Sequence, residues 1–272
     1  LSLFTANSRV DRGYQATFIE VDEHGIVSSE KLEEAITDKT ALASFIYVNN
    51  ETGSINDIAA LAKTAHSHNV LIHADVTQAA GKRPVNVHEL DVDFLSASAH
   101  KFYGPKGIGC AFIKADKYGL PPITALLHGG EQEGGIRAGT LAVHNIVGFG
   151  KAAEIAMRDM DKNHELICEL DDYLITMLEK CDNIRVFIPD EFRAKGIISI
   201  LVDKTDFNNE RFIKRISSEI AISTGSACSL GEPSHVISAL GMSAYVNKII
   251  RVSLNKHTTK ADIDVLISLL KK

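Results

Sequence analysis

A lysine and an aspartate stand just after segments that the sequence predicts to be buried strands. Asp75 follows the apolar run Val70–Ala74, and Lys101 comes shortly after Phe94–Ser98. An amine of this kind can form a Schiff base with an aldehyde cofactor, and a carboxylate can keep a pyridine nitrogen protonated so that the ring accepts electrons. An arbitrary aspartate and lysine would more often be a turn cap and a solvated loop residue, so the neighbouring residues decide between the two interpretations.

Further polar side chains follow the same predicted strands. Ligands of open α/β sheets bind outside the carboxyl ends of the strands, so we expect these side chains to gather at one edge of the sheet. They are Asn49, Asn50, Glu51, Gln78, Ser98 and His100.

The elements that must position these side chains alternate between strand-like and helix-like segments, which is typical of a layered α/β domain. Apolar spacing predicts a helix over Ile58–His66, and the continuous apolar run Ala41–Val48 predicts a strand buried on both faces. The predicted strands of this part are Ala16–Val21, Ala41–Val48, Val70–Ala74, Phe94–Ser98 and Ile108–Ile113.

A second, smaller α/β domain is predicted after a glycine-dense loop and a long amphipathic helix from about Gly148 to Cys181. We expect a large domain over residues 1–150, and a connector helix with a small domain over residues 151–272. The predicted elements of the small domain are strands at Ile184–Ile188, Ile197–Val202 and Ile249–Leu254, a helix near Glu210–Ile220 and a last helix capped by Thr258 or Thr259.

Composition narrows the function classes. The chain has 272 residues and a formal net charge of −6, which argues against direct binding of nucleic acid or of an anionic membrane. No apolar run approaches the roughly 20 residues of a membrane span, and no secretory signal is visible. Four scattered cysteines without CxxC spacing argue against a metal cluster or a disulfide framework and favour a reducing cytoplasm.

One of those cysteines differs from the rest. Cys228 lies in TGSACSLGEPS, a turn-rich stretch of small residues where a core thiol is not expected. A nucleophilic thiolate must be exposed and mobile enough to reach a substrate, and this setting suits it. Cys110, Cys168 and Cys181 are interpreted as core or incidental residues.

Five stretches, in order, resemble the NifS/IscS-type cysteine desulfurases of the class V aminotransferase group, which have PLP (pyridoxal 5'-phosphate) fold type I. These stretches are VNNETG, HADVTQAAGK, SASAHKFYGPKGIG, RAGT and GSAC, and the similarity runs from about Gly25 to the C-terminus. The resemblance implies a PLP enzyme that converts L-cysteine to L-alanine, leaves a persulfide on Cys228 and passes the sulfur to an acceptor protein. It also implies a homodimer with shared sites.

The resemblance assigns roles residue by residue. It implies that Lys101 is the Schiff-base lysine, that Asp75 is the partner of the pyridine nitrogen and that Cys228 is the nucleophile. Arg251 matches the arginine that clamps the substrate carboxylate, a bidentate geometry that lysine could not reproduce. The other implied ligands are Gln78 and Asn50 near the phenolic oxygen, with Asn50 also near the substrate, Ser98 and His100 at the phosphate, and Thr140 at the phosphate of the neighbouring subunit.

Three residues keep two interpretations each. His128, before Gly129 and Gly130, is either structural or a catalytic substrate contact or proton carrier. Arg137 is either an interface ion pair or a site residue. His73 is either a satisfied buried histidine or a base.

The sequence also departs from the family pattern. We expect an N-terminal portion to be missing, because no residue before Gly25 matches the family's phosphate-binding turn or its ring-stacking histidine. The stretch after Cys228 is short, so a persulfide on Cys228 would have a narrower reach and could be passed to fewer kinds of acceptor protein.

Other functions stay open at this point. A selenocysteine lyase or aminotransferase of the same fold, or a non-catalytic sulfur-relay scaffold, would carry similar stretches. The acceptor could serve iron–sulfur assembly, tRNA thiolation or DNA phosphorothioation, the last through a partner protein that contacts the DNA.

Overall fold

The computed structural model describes residues 13–117, 119–121, 123–225 and 234–272, together with Thr5, Asn7, Ser8 and Val10. The chain groups into two compact units that interleave along the sequence. The four-stranded unit comprises Lys39–Tyr47 and Ile58–Met160, and the three-stranded unit comprises Leu1–Asp38, Val48–Asp57 and Asp161–Lys272. The domain boundary near residue 150 stays a prediction.

The four-stranded unit contains a mostly parallel sheet in the order β1-β2-β3-β4, so the fold is α/β as predicted. The strands β1, β2 and β3 are parallel, and β4 runs antiparallel to β3. They cover Leu42–Ile46 (β1), Leu71–Asp75 (β2), Phe94–Ser98 (β3) and Gly109–Ile113 (β4).

The helices of the chain supply the crossovers and the covering layer. Within the described range 13–272, with its gaps, they are in chain order α1 Ser29–Ala35, α2 Ile58–Ser67, α3 Val87–Leu90, α4 Val143–Leu178, α5 Asn209–Ile216, α6 His235–Ala239 and α7 Lys260–Lys271. Single 3₁₀ turns lie at Ala99–Phe102, Gln132–Gly135, Asp190–Phe192 and Ser243–Lys248. None of the helices described combines the length and the apolar composition that crossing a bilayer requires.

Burial on the four-stranded sheet alternates along the strands. Ala43 and Phe45 of β1 are buried, whereas Leu42 is 51% exposed and Ser44 is exposed. The prediction that this strand is buried on both faces is therefore wrong for the chain as described. Successive side chains of a strand point to opposite faces, and in this chain one face of β1 remains accessible.

A second expectation also fails. Ala16–Val21 was expected to be a strand, yet residues 14–22 form neither helix nor strand. A short apolar run becomes a strand only where a neighbouring strand offers hydrogen bonds, and β1 to β4 already form the mostly parallel sheet without it.

The three-stranded unit is an antiparallel sheet in the order β5-β6-β7, covering Ile184–Val186, Ile197–Val202 and Ile249–Ser253. All six residues of β6 are buried. The core of this unit combines apolar residues of α4, β6, β7 and α7, among them Leu174, Ile198, Ile200, Ile250 and Leu266. Helix α7 begins at the predicted cap, where Thr259 and Asp262 form a capping box.

Candidate active site

Two parallel neighbouring strands end at the same edge of the four-stranded sheet. Asp75 is the last residue of β2 and Ser98 the last of β3, and the register pairs Asp75 with Ser96. Oδ1 of Asp75 accepts a hydrogen bond from Thr77 N at 2.9 Å, which fixes the carboxylate at the start of the turn. Its Oδ2 receives no hydrogen bond from the residues that the structure describes.

Lys101 lies in the 3₁₀ turn that follows β3 directly. The flanking Ala99 and Phe102 are buried, and Gly104 N donates to Ala99 O at 2.9 Å, so the turn is held from both sides. A Cβ atom at position 104 would lie 2.8 Å from Cβ of Ala99, so a glycine allows this close approach. The half-buried Lys101 amine has no hydrogen-bond or ion-pair partner in the described ranges.

The other predicted cofactor ligands of this unit lie at the same edge. Ser98 Oγ lies 2.8 Å from Nδ1 of His100, so a hydroxyl and an imidazole are adjacent. Gln78 is half-buried in the turn after β2, where its Oε1 accepts a hydrogen bond from Lys82 Nζ at 3.1 Å. The structure therefore brings Asp75, Gln78, Ser98, His100 and Lys101 to one sheet edge.

His73 lies on the same face of β2 as Asp75, two residues earlier. Its Nδ1 is 2.8 Å from Ser44 Oγ on β1, and its Nε2 is 3.1 Å from Ser96 Oγ on β3. Burial lowers the pKa of His73, and the Asp75 charge opposes that shift only in part. A neutral imidazole with a hydrogen-bond partner at both nitrogens supports the interpretation of His73 as a buried, fully hydrogen-bonded histidine and not as a catalytic base.

The glycine-dense loop between β4 and α4 carries three more predicted residues. His128 and Thr140 are exposed, and Arg137 Nη1 donates to the backbone oxygen of Ala138 at 3.2 Å. The loop is held by a hydrogen bond from Gly139 N to Oε1 of Gln132 at 3.1 Å. Within its own unit this loop leaves His128 and Thr140 open to an outside partner.

The predicted substrate residues Asn50 and Arg251 meet in the three-stranded unit. Arg251, on β7, donates from Nη1 to Asn50 O at 2.8 Å. Burial lowers the pKa of Arg251, and the nearby Glu51 charge raises it in part. Nε of Arg251 is buried without a hydrogen-bond partner in the described part of the chain, so a donor remains for an anionic ligand.

The turn that presents Asn50 is formed by its own side chains. Oδ1 of Asn49 accepts hydrogen bonds from the backbone of Glu51 at 2.8 Å and of Thr52 at 3.1 Å. Gly53 N closes the turn by donating to Asn49 O at 3.0 Å. An asparagine at the first position of such a turn is the local reason that residue 50 points its carbonyl to Arg251.

Glu51, which follows a predicted strand, has no role that the sequence indicates. The side chain is 2% exposed, and its Oε2 accepts a hydrogen bond from Ser234 Oγ at 2.6 Å. Its backbone oxygen accepts another from Ser199 Oγ at 2.7 Å. The available indication of a role was the type of the residue, because a charged glutamate stands among apolar and amide residues in this turn.

Cys228 lies outside the described residues, so its assignment as the nucleophile stays a prediction. The described residues that precede and follow it along the chain are Gly225 and Ser234. Among the residues described, Cys110, Cys168 and Cys181 are free thiols. Burial raises the pKa of both Cys110 and Cys168, which disfavours their thiolates, and Cys181 is buried as a core residue would be.

Comparison with known proteins shows which proteins the chain resembles. The chain is 39% identical over 265 residues to the protein named cysteine desulfurase IscS from Dictyoglomus turgidum, covering 96% of this chain and 66% of that one. A solved structure described as a NifS-like protein matches with a TM-score of 0.88 and 30% identity, over 99% of this chain and 70% of the other. The structure titled SspA in complex with cysteine matches with a TM-score of 0.75 and 30% identity, over 94% and 71%.

The extent of the match is also informative. The chain spans 66% of the Dictyoglomus turgidum protein and 64% of the protein named cysteine desulfurase IscS from Mannheimia succiniciproducens, with which it is 38% identical, so it covers somewhat less than two thirds of these relatives. The profile of the family described as Aminotransferase class-V matches residues 3–266, nearly the whole chain. Since that match takes in both units, the chain belongs to the class-V aminotransferase family.

Proposed function

We propose that this protein is a PLP-dependent cysteine desulfurase, which converts L-cysteine to L-alanine and leaves the sulfur as a persulfide on Cys228. The observation that carries the proposal is the unpaired Lys101 amine, next to Ser98 and His100 at the sheet edge where Asp75 ends β2. The names of the relatives, and a cysteine complex among the similar structures, support cysteine as the substrate.

The residues at the sheet edge fit PLP by their chemistry. Lys101 offers a free amine for the aldehyde, and Asp75 keeps one carboxylate oxygen without a protein hydrogen bond for the pyridine nitrogen. Ser98 and His100 offer donors to a phosphate, and Gln78 is an amide that suits the phenolic oxygen. When bound, PLP would supply an electron-accepting ring that stabilises negative charge on the substrate's α-carbon.

The protein's own groups would bind the substrate and move its protons. Arg251 would hold the carboxylate of L-cysteine through its unpaired Nε and the adjacent guanidinium nitrogen, as a bidentate pair. Lys101 Nζ would take the α-proton and return a proton, while Asp75 keeps the pyridine nitrogen charged. His128 would contact the substrate or carry a proton at the cysteine sulfur.

The sulfur step would take place on Cys228. Its thiolate attacks the substrate sulfur, so an S–S bond forms as the substrate Cβ–S bond breaks. The electron pair of the broken bond stays with the carbon skeleton, which takes up a proton and leaves as alanine. An acceptor protein then receives the persulfide sulfur, and the three acceptor classes named above stay predictions.

A homodimer fits the exposed apolar residues around the β4–α4 loop. Side chains of this kind are normally covered, and a second copy would cover them while bringing Thr140 to the partner's phosphate site. They are Leu126, Leu127, Leu141, Val143, Val147 and Met157, of which Leu126 is 71% exposed. Three unpaired cysteines in the described part of the chain suit the reducing cytoplasm proposed as its location.

The proposed function is tested by two substitutions in the purified protein. Lys101→Ala should abolish the visible absorbance of the bound cofactor near ~420 nm, and Cys228→Ser should keep that band yet release no sulfide from L-cysteine. Lys106→Ala and Cys110→Ser are the matched controls, because both residues are exposed and carry no proposed role. Sulfide release at full rate from Cys228→Ser would show that the nucleophile is another group.

The same preparations separate the rival functions. A selenocysteine lyase would release selenide but little sulfide, and an aminotransferase would convert keto acids at a rate independent of Cys228. A non-catalytic scaffold would show no cofactor absorbance at all.

A further inference from the structure

Glu51 is a buried carboxylate that the proposed reaction does not use. A carboxylate that is 2% exposed loses most of its hydration, and such groups persist where hydrogen bonds and nearby positive charge compensate. Ser234 Oγ supplies the hydrogen bond at 2.6 Å, and the guanidinium of Arg251 is the positive charge that it influences. The placement of this carboxylate therefore needs an explanation beyond the substrate site.

Both described residues that flank the Cys228 segment lie against the same carboxylate oxygen. Ser234, on the C-terminal side, donates its hydroxyl proton to Oε2 of Glu51. On the N-terminal side, a Cβ atom at position 225 would lie 2.9 Å from that oxygen, closer than a side chain allows. Gly225 also has a φ of +140°, which L side chains rarely adopt, so this position needs glycine. Gly225 and Ser234, the described residues on either side of Cys228 along the chain, therefore both lie against this one oxygen atom.

The same carboxylate belongs to the turn that binds Arg251. Asn50 O, one residue before Glu51, accepts the hydrogen bond from Arg251 Nη1. The backbones of Arg251 and Ser223 pair through two hydrogen bonds, of 2.7 and 3.2 Å, two residues before Gly225. The predicted substrate clamp and the start of the Cys228 segment are thus connected by direct contacts within one unit.

We propose that Glu51 is a positioning residue for sulfur transfer: its carboxylate accepts a hydrogen bond from Ser234 and packs against Gly225, the described residues on either side of Cys228 along the chain. This role rests on the proposed function for its catalytic consequence, but the anchoring itself does not. Ser234 also caps α6, because its Oγ accepts a hydrogen bond from Ile237 N at 3.2 Å. The orientation of the Ser234 hydroxyl therefore couples Glu51 to the first turn of that helix.

Amide hydrogen exchange tests the anchoring independently of enzymatic activity. In Glu51→Ala, amides of residues 219–225 and 234–240 should exchange about tenfold faster than in the wild type, because Ser234 loses its hydrogen-bond acceptor and Gly225 loses the group that it packs against. Ser234→Ala should accelerate only the second group, and Glu51→Gln should restore both, since its amide oxygen can still accept from Ser234. Unchanged exchange at both ends in Glu51→Ala would refute the anchoring.

A matched control separates anchoring from general destabilisation. Asp171 is a second buried carboxylate among the described residues of this unit, and its hydrogen bonds go to Arg193 and Gly196. In Asp171→Asn, the amides of residues 219–225 and 234–240 should gain no more in hydrogen-exchange rate than the amides of β6 and β7. If Glu51→Ala instead raised exchange evenly over β6 and β7, the residue would be structural only. Should Glu51→Ala fail to fold, Ser234→Ala still tests the one-sided effect.

Steady-state kinetics then test positioning. Glu51→Ala should lower kcat for sulfide release at least tenfold and leave KM for L-cysteine within twofold, and Glu51→Gln should recover most of kcat. An unchanged kcat in an active enzyme would overturn the positioning role. A wild-type protein that shows the exchange pattern but releases no sulfide would instead refute the proposed function and leave the anchoring in place.

Discussion

At the scale of single residues, some polar groups of the site have hydrogen-bond partners within the protein and others have none. Each ring nitrogen of His73 is hydrogen-bonded to a serine hydroxyl, whereas Lys101 Nζ and Arg251 Nε have no hydrogen-bond partner in the described ranges. Unpaired polar groups in a half-buried setting cost stability unless a ligand completes them. Lys101 is the residue for which a cofactor is proposed, and Arg251 is the residue for which a substrate carboxylate is proposed.

Arg251 gives the first residue-scale prediction. Arg251→Lys should raise KM for L-cysteine about 100-fold with a smaller change in kcat, because a lysine cannot form the bidentate pair with a carboxylate. Steady-state kinetics with L-cysteine measure this, and Lys248→Arg, at a partly exposed surface ion pair with Asp203, is the control. A KM that rises less than threefold would place the substrate carboxylate elsewhere.

His73 gives a prediction about pH. Its folded pKa lies below the ordinary value near 6.5, so between those two values the unfolded chain binds a proton that the folded chain does not. The free energy of unfolding should therefore fall as the pH is lowered below about 6.5. His73→Gln should lose part of that dependence in urea unfolding at pH 5 and pH 8. An identical pH dependence in the variant would show that other groups cause it.

At the scale of elements, the buried pair of Asp171 on α4 and Arg193 holds the turn before β6. Two hydrogen bonds of 2.6 and 2.8 Å join them, and Gly196 N donates to the same carboxylate at 2.6 Å. Burial alone would lower the pKa of Arg193, and Asp171 reverses this and raises it. Ala194 N in turn donates to Gly53 O at 2.8 Å, so the turn also supports residues 49–53.

Removing one partner of this pair should be costly. Asp171→Asn should lower the free energy of unfolding by about 3 kcal/mol or more, because it leaves a buried guanidinium without its counter-charge. Asp172→Asn is the control, since that exposed residue pairs with Lys195 and should cost less than about 1 kcal/mol. Urea denaturation measures both, and equal losses would contradict the assignment.

Local patterns predicted most elements correctly and failed where tertiary partners decide. The capping residue Thr259 and the apolar spacing of α2 are visible within one or two turns of the chain. The lone run Ala16–Val21 had the right composition but no strand to pair with. The sequence around Glu51 does not indicate its contacts, because its hydrogen-bond partners Ser199 and Ser234 lie 148 and 183 positions away along the chain.

At the scale of the whole molecule, the proposed dimer follows from surface chemistry and from Thr140. Val147 is 65% exposed and lies on α4, one helical turn after the exposed Val143. Val147→Asp should convert the dimer to a monomer in analytical ultracentrifugation, because a charge at the centre of an apolar contact must lose its hydration. Met157→Asp, at the far end of the exposed stretch, should weaken association less. An unchanged dimer in both variants would place the interface on another face.

A subunit-mixing experiment tests whether each site draws on both copies. Lys101→Ala and Thr140→Val should each be inactive as homodimers, the first for want of the amine and the second for want of a phosphate ligand from the partner. In a mixed dimer, the Thr140→Val copy supplies Lys101 and the Lys101→Ala copy supplies Thr140, so one site of two is complete. Random exchange of equal amounts should therefore restore about a quarter of the wild-type rate of sulfide release. A mixture of Lys101→Ala with Cys228→Ser distinguishes which copy's cysteine serves that site. If the Thr140 mixture stayed inactive after exchange, Thr140 would act within its own subunit, because only the shared arrangement lets two defective chains complement each other.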